Sequence, residues 1–229
     1  MQRIILITGA NGNLGKVVVD TLSAEGHKIL AVAGPGEIPK SVKEKTIELS
    51  DINLGVEAEA EKYVQSLIDR HPELDAAILL AGGFGMGHME STNEELLDKL
   101  IALNFKTAFF VVKPLMAHFK KTGTGQFILM SARPAVNPGE GKNNLAYAIS
   151  KSMLITLAEI INAEGRESGI TASTIIPSIL DTTPNRESMP DADFENWVKP
   201  EDVAKTISFI LSDAGKILRQ PVFKVYNRS

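Results

Sequence analysis

The chain has 229 residues, of which 44% are hydrophobic and 23% charged, the composition of a globular protein long enough to bury a substantial core. Its formal charge of -4 supplies no basic field for nucleic acid or anionic lipid, and the absence of cysteine excludes disulfides, thiolate metal sites and thiol nucleophiles. His27, His71, His88 and His118 show no ligand spacing with one another or with carboxylates, so no metal site is expected.

The opening segment, "MQRIILITGA", carries a single charge and no cleavage-site pattern, and reads as a first strand and not as a leader peptide. No apolar run approaches the roughly 18 residues a membrane span needs, and a cytoplasmic location with no membrane partner is expected. In chain order, "RIILIT", "KILAVA", "KTIELS", "DAAILLAG", "GQFILMS", "ITASTIIP" and "PVFKVY" read as strands. Residues 13 to 25, 56 to 71, 93 to 120, 145 to 167 and 200 to 213 carry helical periodicity between them. Strands apolar on both faces and separated by helices predict a single doubly wound, Rossmann-type α/β domain over 1–229, with helices on both sides of a parallel sheet. Residues 177 to 199 lack periodicity, and a loop of that length in a compact domain is usually functional. Its Met189, Phe194 and Trp197 have no evident core to join, which predicts a lid over a small-molecule substrate.

The first chemical signal is "ILITGANGNLG", a glycine-rich turn that follows the first strand and opens the first helix. Gly9 permits the tight turn, Gly12 allows close approach of backbone to a ligand, and Gly15 lets the helix pack near the sheet. Backbone N–H groups and the helix dipole then favour a pyrophosphate, hence a dinucleotide cofactor, NAD or NADP. The second strand ends in "AVAGPGE", with Ala33 where an aspartate would bind a ribose 2′-hydroxyl and no arginine nearby for a 2′-phosphate. The choice between the two nucleotides stays open.

The second signal is "LAYAISKSM", which sets Tyr147 and Lys151 four residues apart on one helix face. A phenol has a reference pKa of about 10, too high for easy proton exchange near neutrality. An ammonium about 4 Å away favours its anion by about 1 to 4 kcal/mol between water-like and surface-like dielectric. Lys151 is therefore expected to lower the Tyr147 pKa. Ser131 ends the fifth strand, at the edge where open α/β sheets bind ligands, and its hydroxyl is expected to hold a substrate carbonyl oxygen.

These residues together resemble the short-chain dehydrogenase/reductase family over essentially the whole chain. Thr8 to Gly15 is similar to the family's T-G-x-x-x-G-x-G turn, with Asn13 replacing the middle glycine and Gly12 one place early. "LLAGG" at 79 to 83 resembles its N-N-A-G signature with leucine for both asparagines, and Asn104, Ser131, Tyr147 and Lys151 complete its Asn-Ser-Tyr-Lys set. The resemblance implies that Tyr147 protonates the substrate oxygen while hydride arrives from a nicotinamide. It implies further that Lys151 also holds the nicotinamide ribose and that Asn104 supports a water relay to it. By the same resemblance the cofactor is contacted by Gly9, Asn11, Gly12, Asn13, Leu14 and Gly15, by Asp51 and Ile52 after the third strand, and by Ala81, Gly82, Gly83, Tyr147, Lys151, Pro177, Ile179 and Thr182.

Residues 180 to 197, "LDTTPNRESMPDADFENW", resemble more narrowly the quinonoid dihydropteridine reductases, as does "AGGFGMG" at 81 to 87. Ser131 and Ala33 depart from that group, which generally lacks the serine and carries an acid after the second strand. The long apolar helices near 93 to 120 and 145 to 167, which in the family form an isologous contact, imply a homodimer or homotetramer. The leading expectation is an NAD(P)H-dependent reductase of a small carbonyl or quinonoid compound, including a dihydropterin. The alternative is an NAD(P)-sensing regulator without turnover. A nucleotide-sugar epimerase needs a larger carboxyl-terminal region than this length leaves.

Overall fold

Aliphatic segments with no polar face must be covered on both sides, and the chain solves this with one parallel sheet between two helical layers. The computed structural model describes residues 2–229. Its strands are β1 (Ile4–Thr8), β2 (Lys28–Val32), β3 (Glu48–Ser50), β4 (Leu74–Leu79), β5 (Gly125–Met130), β6 (Ile170–Pro177) and β7 (Val222–Val225), in the order β3-β2-β1-β4-β5-β6-β7. Every pairing is parallel, so Thr8, Val32, Leu79, Met130 and Pro177 end on one rim. The winding reverses between β1 and β4, which opens a crevice outside their carboxyl ends.

The helices are α1 (Asn13–Ala24), α2 (Lys40–Lys45), α3 (Glu57–Arg70), α4 (Glu94–Ile101), α5 (Thr107–Thr122), α6 (Pro138–Gly141), α7 (Leu145–Gly165), α8 (Thr183–Ser188) and α9 (Pro200–Leu211). Ile5 and Ile7 point toward α1 and α9, and Leu6 points toward α3, α5 and α7, the two-sided burial expected of a central strand. At the amino ends of the strands lies a buried ion, Arg3, which is 6% exposed. Its guanidinium pairs with Asp75 at 3.0 Å and donates to Gln126 Oε1 at 2.8 Å and to the Leu211 carbonyl at 3.0 Å, tying β1, β4 and β5 to the end of α9.

The structure departs from the sequence reading at four places. The helix predicted over 93 to 120 is interrupted by a π-helical turn at Ala102–Lys106, between α4 and α5. The strand predicted from 45 begins only at Glu48, because α2 uses the chain through Lys45. The stretches Glu94–Thr122 and Leu145–Ser168 do have the length and apolar content of membrane spans, although polar residues interrupt their apolar runs. Both pack on the sheet, with Val111, Leu115, Phe119, Leu154, Leu157 and Ile161 in the core.

The fourth departure is the 177–199 segment, which is folded. It contains α8 and a 3-10 turn at Phe194–Asn196, and Trp197, expected to lack a core, is only 4% exposed. Its neck is pinched where Asp181 N–H donates to the Val198 carbonyl and Val198 N–H to that of Ile179. Arg186 forks onto Asp181 at 2.5 and 2.8 Å and lies 4.7 Å over the Phe194 ring, whose centroid is 4.8 Å from that of Trp197. The turn at Asn227 clamps the far side: Asn227 Nδ2 donates to the Glu195 and Trp197 carbonyls.

Candidate active site

On the β1 bank of the crevice, Gly9 adopts φ +67°, and a Cβ on it would lie 2.9 Å from the Ala81 nitrogen across the gap. A Cβ on Gly15 would meet the Gly9 carbonyl oxygen at 2.1 Å, so the turn stacks backbone on backbone. Gly12 caps α1 without any side-chain bond to its first N–H groups, and Leu14 anchors the turn in the core beneath. An uncapped helix start cleared of side chains fits the diphosphate of a dinucleotide. Asn13 is exposed there, whereas Asn11 is turned sideways. Its amide donates to the Gly34 carbonyl at 3.0 Å and accepts from Gly34 N–H at 2.7 Å, fixing the turn after β2. The ends of β1 and β4 are joined by Thr8, whose Oγ1 accepts from Leu80 and Ala81 N–H at 3.1 Å each.

On the β4 bank the structure brings Asn104 and Lys151 together at the glycine loop. The π-turn widens the helix so that Asn104 turns inward and is fully buried while Leu103 stays exposed. Asn104 Oδ1 accepts from Gly83 N–H at 2.9 Å, and its Nδ2 donates to Ser150 Oγ at 2.9 Å. From α7, Lys151 Nζ donates to the Met130 carbonyl at 2.9 Å. Gly82 lies between the two, since a Cβ on it would stand 2.5 Å from Asn104 Oδ1 and 3.2 Å from Lys151 Nζ. Tyr147, one turn before the lysine, is half-buried under the exposed Phe84, with ring centroids 5.0 Å apart and planes tilted by 72°.

The electrostatics of this cluster differ from the expectation. Burial pushes the Tyr147 phenol up to about 12 and the Lys151 ammonium down to about 8. Desolvation is the cause of both shifts, and the attraction predicted between the two groups does not offset it. At neutral pH the phenol carries its proton and the lysine is mostly charged, the forms suited to donating a proton and to holding hydroxyl groups.

Ser131 does not present its proton to the crevice. It is 2% exposed, its Oγ donates to the Lys151 carbonyl at 2.8 Å, and its N–H continues the ladder to Ile175. The serine expected to hold a substrate oxygen instead fastens β5 to α7. Asp51 and Ile52 follow β3 on the same rim, Asp51 exposed and Ile52 packed on the core; Pro177 ends β6, and Ile179 and Thr182 lie at the base of the lid. Sequence places Thr8 and Phe84 within motifs but gives neither a role of its own, and does not point to Ser150 or the Met130 carbonyl. The signal for Ser150 is a hydroxyl next to Lys151 on the same helix.

A parallel sheet with a glycine turn at its switch point, and a tyrosine, lysine and asparagine across the crevice, defines a nucleotide-dependent enzyme of the doubly wound α/β class. The chain belongs to the short chain dehydrogenase family, whose model matches residues 3–193. It is 27% identical over 212 residues to a dihydropteridine reductase of Dictyostelium discoideum, covering 90% of this chain and 87% of that one. To a levodione reductase of Leifsonia aquatica it is 24% identical over 249 residues, covering 98% and 92%. Among solved structures, a short-chain type dehydrogenase/reductase from Mycobacterium ulcerans superposes with a TM-score of 0.90 at 23% identity, over 100% of this chain and 90% of that one. The protein is thus an oxidoreductase of a family that uses NAD(P).

Proposed function

We propose that the protein reduces a small carbonyl or quinonoid compound with NAD(P)H, the whole chain forming one nucleotide-binding domain. The observation that carries this reading is the meeting of Lys151 and Asn104 at Gly82, with Tyr147 one turn before the lysine on α7 and against Phe84 of the same loop, across the crevice from the uncapped start of α1. The nicotinamide, when bound, supplies hydride. Tyr147 supplies the accompanying proton from its hydroxyl to the substrate oxygen or ring nitrogen. Lys151, held at Met130, has N–H groups left to donate to ribose hydroxyls and to the phenol as it loses its proton. Asn104 locks the glycine loop so that this geometry is kept. Ser131 Oγ donates to the Lys151 carbonyl, which gives it a positioning role at α7 in this reading; with Ala33 it stays a departure from the dihydropteridine reductases.

Within this reading a quinonoid dihydropterin is the favoured substrate, supported by the loop likeness at 180 to 197 and by the Dictyostelium relative. Neither nucleotide is excluded by the turn after β2, where Ala33 is buried and Glu37 is the sole ionisable side chain among residues 33 to 37. A homodimer or homotetramer is supported by Leu103, Phe109, Ile149 and Ile160, which are left exposed along the π-turn, α5 and α7. The test is steady-state oxidation of NADH and of NADPH with quinonoid dihydropterin present. Turnover with either nucleotide is the expected result, and tight nucleotide binding without turnover on this or any carbonyl or quinone substrate would reject it.

A further inference from the structure

The segment "GGFGMG", residues 82 to 87, alternates glycine with large apolar residues, and the alternation has a structural cause. Each glycine of this extended stretch, Gly83, Gly85 and Gly87, faces a close neighbour, so that a Cβ there would be tightly crowded. Gly83 would meet Leu103 at 3.0 Å, Gly85 Leu100 at 3.0 Å and Leu96 at 3.1 Å, and Gly87 Thr92 Oγ1 at 2.8 Å. The loop is therefore pressed onto α4 and the π-turn. It is also pinned to the start of α7, where Gly87 N–H donates to the Asn143 carbonyl at 2.9 Å and its own carbonyl accepts from Leu145 N–H at 2.8 Å.

The alternate positions consequently point away from the protein. Phe84 and Met86 are 62% and 63% exposed, on a backbone that is fixed at both ends. Phe84 meets Tyr147 edge to face, so the two rings form a corner beside the phenol, and Met86 lines a cavity of about 370 Å³ shared with His88, Ser91 and Asn143. Phe84 is thus held out in water beside the Tyr147 phenol, with Met86 two residues further along the same loop, an apolar surface fit to be covered by a ligand. A flat conjugated ring suits them, since an aromatic face and a thioether both gain most against a planar π-system.

We propose that Phe84, with Met86, is the wall that selects flat conjugated rings as substrates and positions them against Tyr147. This deepens the reductase reading and rests on it for the direction of the substrate toward the phenol. The experiment measures binding separately from turnover. Affinities of 9,10-phenanthrenequinone, which is flat, and of 1-decalone, a saturated fused-ring ketone, are measured by titration calorimetry with NAD+ or NADP+ saturating, on wild type, F84L and F84W. Because Phe84 is mostly exposed, both variants are expected to fold.

The proposal expects wild type to prefer the quinone, F84L to reduce that preference about tenfold, and F84W to restore it. No preference in wild type, an equal loss for both ligands in F84L, or no restoration by F84W would overturn it. Quinone binding that follows this pattern without any NAD(P)H oxidation by wild type would sink the reductase reading while leaving the wall in place.

Discussion

Replacing Gly82 by alanine adds one methyl group at the point where the β4 loop, the π-turn and α7 meet. That carbon would lie 2.5 Å from Asn104 Oδ1 and 3.2 Å from Lys151 Nζ. Comfortable contact needs roughly 3.5 Å, so about 1 Å of movement must be found. Asn104 cannot supply it without loss, being fully buried and bonded on one side to Gly83 N–H and on the other to Ser150. A buried polar group left unpaired costs about 1 to 3 kcal/mol, which for a chain of this size lowers the melting temperature by several degrees. Displacing positioned groups by about 1 Å costs about 100-fold in rate. G82A is therefore expected to fold, to melt several degrees lower and to lose about 100-fold in kcat. The matched control is G83A, whose new carbon meets only the end of the Leu103 side chain at 3.0 Å and is expected to lose less than about fivefold in kcat. Both are read by NAD(P)H oxidation and by thermal melts. G82A within threefold of wild type in kcat, or G83A as damaging as G82A, would refute the reasoning.

Ser131→Ala should cost about 1 kcal/mol of stability in urea and change kcat by less than about threefold, because its hydroxyl bonds α7; a donor to the substrate oxygen would cost about 100- to 1000-fold. Arg3→Met, at the end of the sheet remote from the crevice, should destabilise toward the lower end of about 3 to 5 kcal/mol in urea unfolding, since it strands Gln126 and an Asp75 that keeps some access to water. Lys151 gives a pH signature with a definite sign. Its folded pKa of about 8 lies below the usual 10.5, so between those values the unfolded chain binds more protons and stability rises with pH. Below pH 8 both states are protonated and the penalty is constant; K151M should lack the rise, as read by urea midpoints across that window. Finally, kcat/KM for NADH and NADPH should differ by less than about tenfold, because neither the acid nor the arginine that separates the nucleotides stands after β2; a hundredfold preference for either would show that another group does the sorting.

The central strands were legible because they are buried on both faces: "IILIT" and "FILM" have no polar side to confuse with a helix. The glycine turn was legible because Gly9 and Gly15 lack room for any other side chain. What sequence could not convey was the direction of individual polar atoms. Ser131 stands at the end of a strand where a ligand-binding hydroxyl would stand, yet its Oγ turns to the Lys151 carbonyl, and no spacing rule distinguishes the two. The mutual influence of Tyr147 and Lys151 is not legible for a related reason: spacing sets proximity, but burial of both groups shifts their proton affinities. The π-turn at Asn104 and the fold of the lid around Trp197 depend on contacts distant in sequence, including the clamp from Asn227. The G-x-G-x-G alternation at 83 to 87 was in plain view, and only the packing of the glycines on α4 gives it meaning.

The most direct measurement is single-turnover oxidation of bound NADH by Tyr147→Phe against wild type, with quinonoid dihydropterin in excess and nucleotide affinity measured in parallel. If the phenol provides the proton that accompanies hydride, the variant binds NADH as wild type does and transfers hydride about 100- to 10,000-fold more slowly. Transfer at the wild-type rate with normal NADH binding would mean that the proton comes from elsewhere and that the crevice works by a different chemistry.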